Sequence, residues 1–128
     1  MSAAELIAEA RAAAAFAYAP YSKFRVGAVV VDADGNHYTG ANVENSAFGS
    51  TICAEGSAIA AAVSHGARHL DTVAVACIDA PDAETGYPCG NCRQLMVEFG
   101  VRRVVVDTPE GPREHALADL IPFGFKFV

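Results

Sequence analysis

Basic residues are scarce in this 128-residue chain: nine Lys and Arg stand against fifteen Asp and Glu, a formal net charge of −6. A protein that grips nucleic acid presents a basic face, because neutralising phosphates supplies most of its affinity. Here the cations are scattered, and the densest pair is Arg102–Arg103. DNA and RNA are therefore not expected partners, and a small-molecule substrate fits better. Long apolar runs are missing as well. No stretch approaches the roughly 18 residues that cross a bilayer, so no membrane partner is expected. The opening "MSAAELIAEARAAAAFAYAP" is interrupted by glutamates and does not read as a signal peptide. The expected location is cytoplasmic. Repeats, low-complexity tracts and linkers are absent too, and residues 1–128 are expected to form a single domain.

Hydrophobic residues make up 52% of the chain and charged residues 19%, enough for a packed core. The first 17 residues are rich in Ala, Leu and Glu and predict a helix, which "YAPYSKF" breaks at Pro20. "RVGAVVVDADGNHYTGANV" predicts a hairpin turning at Asp34-Gly35. After the polar loop "ENSAFGST", a helix is expected from about Cys53 to His65, with Gly66 as its stop. "TVAVACIDA" is apolar on both faces, as a central strand covered on both sides would be. "PDAETGYP" reads as a loop, "CGNCRQLMVEFG" as a short helix, "VRRVVVD" as a strand, "TPEGP" as a turn and "HALADLI" as a last helix. The order α-β-β-α-β-α-β, with room for one more strand near Arg113, implies a sheet with helices on both faces.

Four cysteines in a chain without an export signal point to metal binding or catalysis rather than disulfides. Cys77, inside "TVAVACI", reads as a small core hydrophobe. Cys53, Cys89 and Cys92 sit at expected helix entrances. Cys89-x-x-Cys92 alone fits a redox pair or a zinc site. With Cys53 and Glu55 of "CAE" upstream, the order C-x-E then P-C-x-x-C is the signature of zinc deaminases that act on nucleobases. Catalytic zinc keeps three protein ligands and leaves its fourth position open to water. The x-x spacing at a helix start brings the Cys89 and Cys92 thiolates to one side, and Cys53 comes from the first turn of another helix. Three thiolates on Zn²⁺ leave a net −1, which two helix N-termini partly offset. Glu55 is then placed to take a proton from acidified water and pass it to the ring nitrogen and the leaving amine.

The chain resembles the small, single-domain cytidine deaminases with three zinc cysteines, nearly from end to end. The likeness is carried by "AYAPYSKFRVGA", "GANVENSAFGSTICAE", "YPCGNCRQ" and "LADLIPFGF", in the right order and spacing. It implies a three-layer α/β/α fold with a mixed central sheet, one Zn²⁺ per subunit, free-nucleoside substrates and a homotetramer with shared active sites. It further implies that Cys53, Cys89 and Cys92 hold the metal, that Glu55 is catalytic, and that Asn42 and Glu44 of "NVEN" bind the ribose hydroxyls. Phe24 would pack against the base, the backbone around Ala54 and Cys89 would help hold the base and the leaving amine, and Phe125 would reach into a neighbouring subunit's pocket. The implied reaction is hydrolytic deamination of cytidine or 2'-deoxycytidine to the uridine product and ammonia.

The chain departs from that pattern after the glutamate, where relatives commonly carry an arginine that bonds the thiolates. Here it is Gly56. Arg93, directly after Cys92, and the helix dipoles are the expected sources of replacement charge. Blasticidin-type deaminases also lack the arginine and end in a short aromatic tail, so blasticidin S or a modified cytidine is the alternative substrate. "NVEN" favours ordinary nucleosides. A structural zinc module, with Cys77 closing a four-cysteine site, is the alternative of a different class. His37, His65, His69 and His115 lie outside the matched motifs and are expected to be structural or at the surface.

Overall fold

The computed structural model describes residues 1–82 and 84–127. Ala83, in the expected 81–88 loop, and Val128, the end of the tail, lie outside the described residues. Helix α1 (Ala3–Ala14) opens with a capping box in which the Ser2 hydroxyl accepts from the Glu5 N–H and the Glu5 carboxylate accepts from the Ser2 N–H. The hairpin follows as β1 (Val26–Asp32) and β2 (His37–Ala41), with Gly35 supplying the positive φ of the turn. Then come α2 (Ala54–Ser64), β3 (Leu70–Cys77), α3 (Gly90–Glu98), β4 (Arg103–Thr108), β5 (Gly111–Ala116) and the single turn α4 (Leu117–Leu120).

The five strands form one sheet in the order β2-β1-β3-β4-β5, so the apolar β3 is central. β3 and β4 run parallel and the other pairs antiparallel, which makes the sheet mixed. Side-chain alternation divides the core in two. Ala28, Val30, Val73, Val75, Val104 and Val106 face α2 and α3, while Val29, Ala74, Ala76 and Val105 face Leu6, Ile7 and Ala10 of α1. Helices thus cover both faces, and the parallel β3–β4 pair is joined through α3, which forces Cys89 and Cys92 to emerge beyond the end of β3.

Two glycines set how closely the helices approach. A Cβ on Gly27 would lie 2.0 Å from the Ala10 carbonyl oxygen of α1, and one on Gly40 would lie 2.5 Å from the Ala58 nitrogen of α2. β2 therefore lies backbone to backbone against the first turns of α2, where Cys53 and Glu55 begin. One expectation changes. "GPREHA" is the strand allowed for near Arg113, so the turn shrinks to Thr108–Gly111 and the last helix keeps only Leu117–Leu120. β5 is a charged edge strand paired along its whole length with β4, and charge on an edge hides the apolar alternation by which strands are recognised.

Candidate active site and metal centre

Two helices start at cysteines. Cys53 is the N-cap of α2 and Cys89 the N-cap of α3, both with extended backbone and neither with a side-chain capping bond. A cysteine in place of the usual Ser, Thr or Asp leaves the sulfur free to turn outward from the cap. Cys92 adds its sulfur from the first turn of α3 and is fully buried. The three sulfurs lie within 4.8 Å of one another, with Cys53 and Cys89 3.9 Å apart. Zn–S bonds of about 2.3 Å in tetrahedral geometry require sulfurs about 3.8 Å apart, so this donor set fits zinc closely. Three soft thiolates also match zinc in chemistry. Cys77 lines the adjoining cavity but stands outside the sulfur cluster, which leaves three ligands rather than four.

The sulfurs shift one another's acidity. A hydrogen bond from Cys92 brings the Cys53 thiol down to about 6 despite its partial burial, with Cys89 adding to the effect, and the same contact raises Cys92. Glu55, one helical position past Ala54, is 4% exposed. Burial pushes its carboxyl up to about 7, and the charge of Cys53 adds to the rise.

Beside the cluster lies a cavity of about 260 Å³ lined by Phe24, Asn42, Cys53, Ala54, Glu55 and Cys89, together with Cys77 and Tyr87. Five separate stretches of sequence thus meet in one place. Asn42 is 8% exposed and its amide is already at work: Oδ1 accepts from the Val26 N–H at 2.9 Å and Nδ2 donates to the Phe24 carbonyl at 2.8 Å. Glu44 lines a neighbouring hollow with Tyr21, Ser22 and Phe48, joined to the cavity through Thr51. Its carboxylate accepts from the Tyr21 N–H, the Ser22 N–H and the Ser22 hydroxyl. Each of the two "NVEN" side chains therefore holds the 21–26 segment as well as facing a hollow.

Phe125 lies outside the cavity of its own chain. It is 68% exposed, and its carbonyl accepts from Gln94. Arg93 donates to the Pro88 carbonyl at 2.8 Å and the Leu120 carbonyl at 2.6 Å, and among the described residues it makes no hydrogen bond to a sulfur. Gly56 faces Leu95 across a groove behind Cys53 and Cys92, and an added Cβ would stand 3.6 Å from the Leu95 side chain, an ordinary contact. Sequence reasoning missed Thr51 and Tyr87 in the walls. Tyr87 opens the quoted "YPCGNCRQ", and its hydroxyl hydrogen-bonds with His115 on β5 at 2.7 Å.

Comparison with known proteins was decisive. Residues 1–108 match the model of the cytidine and deoxycytidylate deaminase zinc-binding region. The chain belongs to that family. It is 44% identical to a cytidine deaminase of Mycobacterium tuberculosis over 88% of this chain and 81% of that protein. It is 43% identical to one from Sporosarcina psychrophila over 98% of this chain and 93% of the other. The crystal structure of cytidine deaminase from Burkholderia pseudomallei superposes with a TM-score of 0.87 at 39% identity, covering 98% of this chain and all of that one. The fold expected from the sequence, a mixed sheet between helical layers, is thereby shown together with the three-cysteine zinc region of the family.

Proposed function

We propose that the protein catalyses hydrolytic deamination of cytidine and 2'-deoxycytidine to uridine and 2'-deoxyuridine, releasing ammonia. The observation that carries this reading is the meeting of Glu55 with the three-sulfur cluster in a cavity walled by Phe24 and Asn42. Cys53, Cys89 and Cys92 would hold a zinc ion, and the chemistry it would supply is acidification of a water to serve as the nucleophile. Every other step belongs to the chain. Phe24 packs against the base, and Asn42 and Glu44 offer their remaining hydrogen-bonding capacity to the ribose hydroxyls. The backbone around Ala54 and Cys89 holds the base and its amine. Glu55 takes one proton from the water as its oxygen bonds C4 and passes it to the ring nitrogen, then takes the second proton from that oxygen and gives it to the amine as the C4–N bond breaks. Arg93 contributes to the cluster's charge balance indirectly, by bonding Pro88 next to Cys89.

The same reading includes a homotetramer with shared sites. Support comes from the exposed aromatic side chains Phe48 and Phe125, which find no cover in a single chain. Light scattering of the purified protein checks this, and a monomer at assay concentration would refute it. The substrate is tested by assaying zinc-loaded protein with cytidine, deoxycytidine, 5-methylcytidine, cytosine and blasticidin S. Turnover of the first two is expected. Silence on both, with turnover of blasticidin S, would move the protein to the alternative substrate.

A further inference from the structure

The pocket wall that carries Phe24 is gripped from one further point. β1 and β3 pair up to Val26 and Cys77, and the Ile78 N–H donates one more ladder bond, to the Arg25 carbonyl, at 3.1 Å. Beyond it the β3 chain turns away, with the Ala80 N–H bonded back to Cys77. The Asp79 side chain continues where the backbone stops. Its Oδ2 accepts from the Arg25 N–H and from Arg25 Nε, both at 2.9 Å, while Oδ1 accepts from Nη2 at 2.9 Å. One carboxylate thus fixes both the backbone and the guanidinium of the residue between Phe24 and Val26, two residues that line the cavity.

The segment needs such a hold. Lys23 carries φ 61, a left-handed conformation that a residue with a Cβ adopts only when its surroundings impose it. On the N-terminal side the imposing group is Glu44, and beyond Lys23 Asn42 holds Phe24 and Val26, both groups lying within "NVEN". Between Phe24 and Val26 it is Asp79 that holds Arg25, and Asp79 lies in none of the matched motifs and bonds no zinc cysteine. The hydrogen bonds from Arg25 hold the Asp79 carboxyl at about 2, so the clamp stays charged across any working pH.

We propose that Asp79 is a positioning residue for nucleoside binding, acting through Arg25 to fix the Phe24 wall at the height the base requires. This rests on the deaminase reading above. The test uses the full-length, zinc-loaded protein and the variants Asp79→Ala, Asp79→Asn, Asp79→Glu and Arg25→Gln. KM and kcat for cytidine are measured beside amide hydrogen exchange of the 21–26 segment. Asp79→Ala is expected to raise KM about tenfold with kcat within about twofold, the mark of lost ground-state and transition-state binding alike. Arg25→Gln keeps the backbone N–H on Asp79 and should raise KM only about threefold. Asp79→Glu, which retains the carboxylate, should recover part of the loss. The 21–26 amides should exchange faster in the same order.

Unchanged KM in both Asp79→Asn and Arg25→Gln would overturn the proposal even if Asp79→Ala failed to fold. So would a loss confined to kcat with loss of zinc, because that would place the effect at the metal. A parent inactive on every nucleoside would instead refute the deaminase reading. Unaltered exchange in Asp79→Asn would then independently show that the carboxylate does not hold the segment.

Discussion

Cys53 and Cys89 enter the cavity from helix N-termini that packing pins in place, whereas Phe24 enters from a loop restrained largely by side-chain hydrogen bonds and a few backbone ones. On the metal side, α2 lies backbone to backbone on β2 at Gly40, and its Ala54, Ala58 and Ala62 are fully buried. The cysteines inherit that rigidity, and among the described residues their side-chain hydrogen bonds are to one another. On the nucleoside side, Tyr21 to Val26 has no regular structure until β1 begins and depends on Glu44, Asn42 and Asp79. A metal site needs sulfurs placed to a few tenths of an ångström, and backbone packing provides that. A wall that admits and releases a nucleoside can be held by polar contacts that water is able to replace.

The contrast predicts where substitutions will act. The largest effect should come from Glu55→Gln, which keeps shape and burial but removes the proton carrier. Turnover should fall by about 10³-fold or more while zinc content stays at one per chain. Retained turnover would separate Glu55 from the chemistry, and lost zinc would make it part of the metal's support. Cys92→Ser should remove the metal itself, with activity following zinc content when the two are titrated together. Cys77→Ser should leave zinc bound. Metal loss in that variant would revive the four-cysteine module.

Gly40→Ala tests the rigid wall directly. Its new Cβ would meet backbone atoms of Ala54 and Ala58 at 2.8 and 2.5 Å, so α2 must shift. Overpacking of this kind costs about 1–3 kcal/mol. Stability in urea should drop and kcat should fall with it, because Cys53 and Glu55 ride on the displaced turn. A fall in stability with kcat unchanged would mean that the site tolerates movement of α2, and the comparison would fail.

On the held wall, Asn42→Ala leaves the Val26 N–H and the Phe24 carbonyl without partners, a loss of about 1–3 kcal/mol where such groups are buried. Here KM should rise more than kcat falls. A rise in KM with no loss of stability would show that the amide serves the substrate rather than the loop.

The same division explains what could be read from the sequence. The zinc ligands were legible because metal chemistry demands particular residue types at fixed spacing, and "CAE" with "PCGNC" meets that demand locally. The helices and central strands were legible because their apolar periodicity is strong, as in "TVAVACI". β5 was legible only as room for one more strand near Arg113, because charged "GPREHA" carries no apolar alternation and its extent is set by pairing with β4. The Asp79–Arg25 clamp was not, because its partners lie 54 positions apart and either residue alone looks like a surface charge. The hold of Asn42 on the 24–26 backbone was hidden for the same reason. "NVEN" points toward ribose, and only the fold shows the amide holding Phe24 and Val26.

The smallest predicted effect concerns the residue where this chain departs most from the pattern it resembles. Gly56 sits in the first turn of α2, and the space before it ends at Leu95. A glycine there adds backbone entropy to the unfolded chain, and nothing near it demands the absence of a Cβ. Gly56→Ala should therefore stabilise the protein by about 0.5–1 kcal/mol in urea denaturation, with zinc content and kcat unchanged. A stabilised and fully active variant would mean that the glycine is not needed for the geometry of the cluster, and that the missing cation is its only chemical consequence. A variant that gains stability but loses zinc or turnover would mean that α2 must keep its freedom at that turn for Cys53 and Glu55 to meet the metal, and the packed wall would then be less rigid than its burial implies.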